Sequence, residues 1–149
     1  MAITLEIYLQ RFVSEENILD SQRVAEVLED AARLYRDEKV EWCRNKWIQF
    51  DQSVNMSMCA EGALMKALGW NIIEIGLYQA GQQGDSPSPK QLNEFWQVNR
   101  IVAQAATKNP LIQNVHEWND DGATCKQDVI DLFENTAKDL RNGAGGLMR

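Results

Sequence analysis

The sequence predicts a mainly α fold: a single small helical domain, with room for a short hairpin near residues 40–50 or 70–78. Three observations carry this. Apolar residues recur at helical steps in at least three long segments. Serine or threonine caps precede several of those segments. Convincing strand alternation is scarce. At 149 residues the chain is long enough for one domain with a buried core. The reading is one domain over residues 1–142, then a flexible glycine-rich tail over 143–149 that frays.

The first segment is ambiguous. Ile3, Leu5, Ile7 and Leu9 alternate as in a strand, whereas Leu5, Tyr8, Leu9 and Phe12 make a helical stripe. A helix is preferred, because Glu6 and Gln10 then fall on its wet side. The next helix runs from Ser21 to Asp37. Val24, Val27, Leu28, Ala31, Leu34 and Tyr35 form its apolar face, Asp20 or Ser21 caps it, and Arg33 and Arg36 suit its C-terminal dipole. Val40 to Phe50 has a mixed pattern around Trp42 and Trp47 and reads as irregular or as a short strand pair. Asp51 to Asn55 reads as a turn.

Ser57 is expected to cap a helix that runs through Leu68, with Gly69 at the C′ position and Trp70 packing back on the last turn. The β-branched stretch Asn71 to Tyr78 fits strand or helix. Gly81 to Pro89 is a turn-rich surface loop. Ser88-Pro89-Lys90-Gln91 is a helix start with a capping box and proline at N1. Its stripe is Leu92, Phe95, Trp96, Asn99, Val102 and Ala106, and Pro110 ends the region. Thr124-Cys125-Lys126-Gln127 repeats the capping-box pattern before a last helix faced by Val129, Leu132, Phe133, Thr136 and Leu140.

Charge and composition exclude several function classes. Fifteen basic residues against 22 acidic give net −7, with no basic block, so no nucleic-acid partner is expected. An acidic surface suits solubility above all, and also a basic protein partner or DNA mimicry. No apolar run approaches the roughly 20 residues that span a bilayer, and the N-terminus has no signal-like segment. No membrane association and a cytoplasmic location are expected. Cys43, Cys59 and Cys125 are odd in number and lack close pairing, which fits free thiols. With His116 they include the ligand types of a zinc site but not its spacing, so no metal is expected. The glycines at 81–84 and 143–146 match no phosphate-binding fingerprint, and no cofactor is expected.

Two segments carry candidate chemistry. Cys59 stands at the expected start of a helix, where dipole and free N–H groups favour thiolate. His116, the sole histidine, opens His116-Glu117-Trp118-Asn119-Asp120-Asp121. A cysteine hydrolase or transferase would use Cys59 as nucleophile, His116 as base, and Asn119 or Asp120 to orient the imidazole. The competing reading has Cys59 as a small residue in a tight seam with Ala60, Gly62, Ala63 and Ala67. Trp118, Asn119 and Asp120 fit either a ligand site with an aromatic wall or a turn leading to the last helix. Asn99, on an apolar stripe, either pairs with a buried group or lines a pocket. Glu61, in a first turn, serves as a base or complements the dipole.

The Trp42-Cys43 step, the Cys59-x-x-Gly62-Ala63 helix start and Trp118-Asn119-Asp120 followed by Thr124 resemble a family of small uncharacterised proteins of actinobacteria and their bacteriophages. The resemblance spans roughly residues 21–140; Arg44-Asn45 and the stretch from Ile72 to Pro89 depart from its pattern. It implies an architecture and a phage or bacterial origin, with no activity attached. The expected function is a small acidic binding protein with a protein partner, such as a phage accessory or host-interaction factor. The alternative is the cysteine enzyme. Oligomeric state is open.

Overall fold

The computed structural model of the protein describes residues 18–50, 56–81, 87–123 and 125–143. The N-terminal segment, the 51–55 turn, most of the 81–89 loop, Thr124 and the end of the tail lie outside the described residues.

The fold is mainly helical with one small sheet. Helix α1 (Ser21–Arg36) starts where Asp20 accepts a hydrogen bond from the Arg23 N–H, as its spacing predicts. Its stripe of Val24, Val27, Leu28, Ala31 and Tyr35 is buried. The most extensive helix contact joins it to α5 (Lys126–Arg141). Arg36 pairs with Glu134 and Arg141 with Glu29, so the two helices run antiparallel. Both pairs are exposed and contribute little beyond fixing this register. Lys126 donates to the carbonyls of Asp37 and Val40, satisfying backbone just past the end of α1. Cys125 occupies the α5 N-cap without a side-chain bond, and Gln127 pairs with Asp131; the expected capping box starts at Thr124, which lies outside the described residues.

The 40–50 region does hold two strands, β1 (Val40–Trp42) and β2 (Ile48–Phe50), but they do not form a hairpin with each other. β3 (Met56–Met58) lies between them, parallel to β1 and antiparallel to β2. Ser57 is therefore a central strand residue and not a helix cap. The buried Tyr35 hydroxyl donates to Met58 O at 2.7 Å and ties the end of β3 to α1. Burial raises that phenol's pKa well above the ordinary range, which keeps it a donor.

Helix α2 (Ala60–Ala67) follows β3 directly, with Cys59 as its N-cap. It ends as expected at Gly69, φ 95°, where the Gly69 N–H bonds Lys66 O and the Trp70 N–H bonds Met65 O. Trp70 is fully buried against Tyr78 and Phe95. The 70–78 stretch is not a hairpin; it is α3 (Ile72–Gln79). Asn71 and Glu74 form a reciprocal capping box, which outweighs the β-branched composition. At its other end the Gln79 amide accepts from Ile48 N and donates to Ile48 O, acting as one more ladder step on the free edge of β2.

Helix α4 (Pro89–Thr107) begins with the expected Ser88–Gln91 box and closes at Lys108 in the left-handed region. Its buried face carries Phe95, Val98, Ile101 and Val102; Trp96, expected on that stripe, is 40% exposed and only flanks Phe95. A π-helical turn (Trp118–Gly122) precedes α5.

Gly62 shows why this packing is specific. A Cβ there would lie 1.9 Å from the carbonyl oxygen of Trp47. Gly62→Ala should therefore cost about 3 kcal/mol in urea unfolding. Gly76→Ala, in α3 with open space around it, should stabilise by about 0.5–1 kcal/mol. Equal effects from the two would mean that helix propensity, not the Trp47 contact, governs Gly62.

Candidate functional site

The loop from Cys43 to Trp47 folds over the first turn of α2. With the end of α3 and the start of the π-helical turn it encloses an open cleft of about 410 Å³. Cys59, Glu61, His116 and Asp120, distant in sequence, all line it. Asn45, Lys46, Trp47 and Gln79 complete the lining.

Glu61 is 4% exposed. Its two carboxylate oxygens are each taken: Oε1 accepts from the Trp47 indole at 2.9 Å, and Oε2 accepts from the Asn99 amide. Asn99 is fully buried, and its oxygen accepts the Val115 N–H at 2.8 Å. One chain of bonds thus joins loop, α2, α4 and the segment before the π-helical turn. Trp47 stacks on Tyr78 at 4.9 Å, which holds its indole aimed at the carboxylate.

Asn119 is also fully buried. Its oxygen accepts from the Trp42 indole at 2.6 Å and from Ala60 N at 2.8 Å. Its nitrogen donates to Cys43 O at 3.1 Å and to Asp120 Oδ1 at 3.0 Å. Asp120 in turn accepts the N–H of Asn45, whose φ of 66° turns the loop. Arg44 lies 4.5 Å over the Trp42 ring and donates to Ala123 O. Trp118 is half-buried and covers Gly122, where a Cβ would come within 2.7 Å of its ring. The polar atoms of Asn99, Glu61 and Asn119 are therefore occupied by internal partners.

Cys59 is 3% exposed, and its sulfur accepts the Gly62 N–H at 3.4 Å, as an N-cap oxygen would. The expected thiolate stabilisation is overridden. Burial pushes this thiol well above its ordinary range, the Glu61 carboxylate pushes it further, and the first-turn N–H groups only partly oppose them. Cys43, half-buried, rises to about 11, from burial first and then from Asp120. His116 is exposed at the rim. Among the described residues no hydrogen bond joins it to Cys59, Asn119 or Asp120. Cys125 is exposed at the start of α5, away from the cleft lining. No group of three His, Cys, Asp or Glu side chains among the described residues could hold a metal ion. No described helix is long and apolar enough to cross a membrane.

Sequence reasoning missed Trp47, Gln79 and Val115 as parts of this region. Trp47 and Gln79 gave no local signal, because their partners, the Glu61 carboxylate and Tyr78 ring for one and the Ile48 backbone for the other, lie well beyond a helical turn along the chain.

Asn119→Ala should leave the Trp42 indole and the Ala60 N–H buried without partners. The expected loss is about 3–5 kcal/mol in denaturant unfolding; a loss under 1 kcal/mol would show that water replaces the amide easily. Alkylation should separate the thiols. A group with a raised pKa carries little thiolate until the solution approaches that pKa. Cys43 labelling should therefore rise about 100-fold from pH 8 to pH 10, while Cys59 stays unlabelled until the protein unfolds. Rapid labelling of Cys59 at neutral pH, followed by peptide mass spectrometry, would contradict this.

Residues 20–139 match the model of a family of unknown function, DUF6197. No curated protein and no solved structure matches the chain. The match agrees with the resemblance to an uncharacterised family, and it covers α1, the sheet, the cleft and most of α5. The chain belongs to this family of unknown function.

Proposed function

We propose that the protein acts by binding, and that it docks a protein partner on the outer face of α3. The observation that carries this reading is the apolar surface that α3 leaves in water. Ile73 is 71% exposed, Leu77 42% and Ile72 37%, and only Ile75 of this helix is buried. Ile73 and Leu77 are one helical turn apart and present a continuous ridge. Phe50, 48% exposed, lies two residues along β2 from the strand position gripped by Gln79. Large aliphatic side chains held outward on a capped, anchored helix suit a partner's apolar groove. The net charge of −7 favours a partner with a basic rim. In the cytoplasm of a bacterial or phage-infected host cell, fitting the phage or bacterial origin that the motif resemblance implies, such a protein would serve as an accessory or host-interaction factor.

A second reading, the thiol hydrolase or transferase, has one observation in its favour: Cys59, Glu61, His116 and Asp120 share a cleft. Against it stand the burial of Cys59, the strongly raised thiol pKa and the commitment of the Asn119 amide to Cys43 O and Asp120. Thiol catalysis runs through the thiolate, which this setting disfavours.

The test compares Ile73→Asp/Leu77→Asp with the parent and with Cys59→Ala. The double variant should keep its helical circular dichroism and its thermal midpoint within a few degrees, since both side chains are exposed. A host protein captured by the parent and by Cys59→Ala should be lost by the double variant. Equal capture by all three proteins would sink the α3 reading. Dimerisation that sedimentation shows to be abolished by the double variant would make the partner a second copy instead.

A further inference from the structure

Strands β1 and β3 run parallel with Trp42 opposite Met58. The ladder continues one step beyond the strands, where the Cys43 N–H donates to Met58 O at 3.2 Å. That step puts Cys43 opposite Cys59. Side chains at opposed positions of a parallel pair leave on the same face. Neighbouring strands are about 4.8 Å apart, within the Cα separation of roughly 4.4–6.8 Å that a disulfide spans. Of the two ladder bonds that would frame this pair, Cys43 N to Met58 O is made, and the other, Ala60 N to Cys43 O, is bridged by the Asn119 amide, so the strands begin to part here. Cys43 Sγ meets Lys46 O within the loop at 3.4 Å, Cys59 Sγ accepts from Gly62 N in the first turn of α2, and loop and turn touch where Gly62 packs under the Trp47 carbonyl.

We propose that Cys43 and Cys59 form a two-electron oxidation site that closes into a cross-strand disulfide when a peroxide is supplied. Cys43, half-buried, meets the oxidant first; Cys59, 3% exposed, resolves it. The Cys43 sulfur attacks one peroxide oxygen, the O–O bond breaks, and Cys43 sulfenic acid and one water form. The Cys59 sulfur then attacks the Cys43 sulfur, losing its proton to the departing hydroxyl, which leaves as a second water. The two thiols lose two protons and two electrons, and the peroxide is reduced to two waters. The bond would pin the 43–47 loop to the start of α2 and fix the cleft wall. Because both sulfurs react through the thiolate, and burial raises the Cys43 pKa to about 11 and that of Cys59 further still, both steps should be slow near neutral pH and accelerate with alkali.

The test uses the full chain with Cys125→Ser, which removes the exposed third thiol. The folded protein is treated with hydrogen peroxide and digested with trypsin. Cleavage after Lys39, Arg44, Lys46 and Lys66 separates the two cysteines onto peptides 40–44 and 47–66. The expected product is those two peptides linked, two hydrogens lighter than their sum, and released by dithiothreitol. The thermal midpoint of the intact oxidised protein should rise by roughly 5–10 °C. Cys43→Ser in the same background should give no linked peptide. Recovery of the two peptides unlinked, with free thiols or with Cys43 carrying two or three oxygens, would overturn the proposal. A Cys43–Cys43 link between two molecules would overturn it equally.

Discussion

The side-chain amide of Asn119 stands where the β1–β3 ladder would make its next bond, and much of the molecule is arranged around it. A direct bond from Ala60 N to Cys43 O would continue the sheet. Instead the amide accepts from one group and donates to the other, so the strands separate without orphaning either. That separation lets β3 stop and α2 begin at Ala60 with no intervening loop. The same oxygen fixes the Trp42 indole. Both ends of the Cys43–Trp47 loop thereby acquire defined positions, one through Asn119 and the other through Glu61.

Glu61 and Asn99 do the corresponding work on the other side. A buried carboxylate needs strong donors, and here they are an indole and an amide, both neutral. Polar residues line the resulting cleft, yet Glu61 commits its polarity to internal bonds. Its outer rim keeps His116 and Lys46 exposed. The residues with the strongest chemical character serve mainly to hold backbone, whereas α3 leaves Ile72, Ile73 and Leu77 in water.

Much of the fold was legible along the chain. α1 and α4 announce themselves through periodicity and caps, because both signals are local: Asp20 and Ser88 bond N–H groups three residues away. Gly69 was legible for the same reason. The sheet was not. Its strands are three residues each, and the pairing of β1 with β3 spans residues 40–58 in parallel, which no short-range pattern encodes. Ser57 looked like a cap because serine is a good one, but the ladder claims it and a sulfur caps α2 instead.

Sequence by itself determined the mainly helical class, the principal helix boundaries, the acidic balance and the chemical types at Cys59, His116 and Asn119, because these depend on composition and on contacts within one or two turns. Only the tertiary structure decided what those side chains meet. Burial, not the helix dipole, sets the Cys59 thiol, since desolvation depends on every element packed around it. Whether an amide binds a ligand or replaces a ladder bond, and whether an isoleucine is core or surface, depend equally on chain segments far away in sequence.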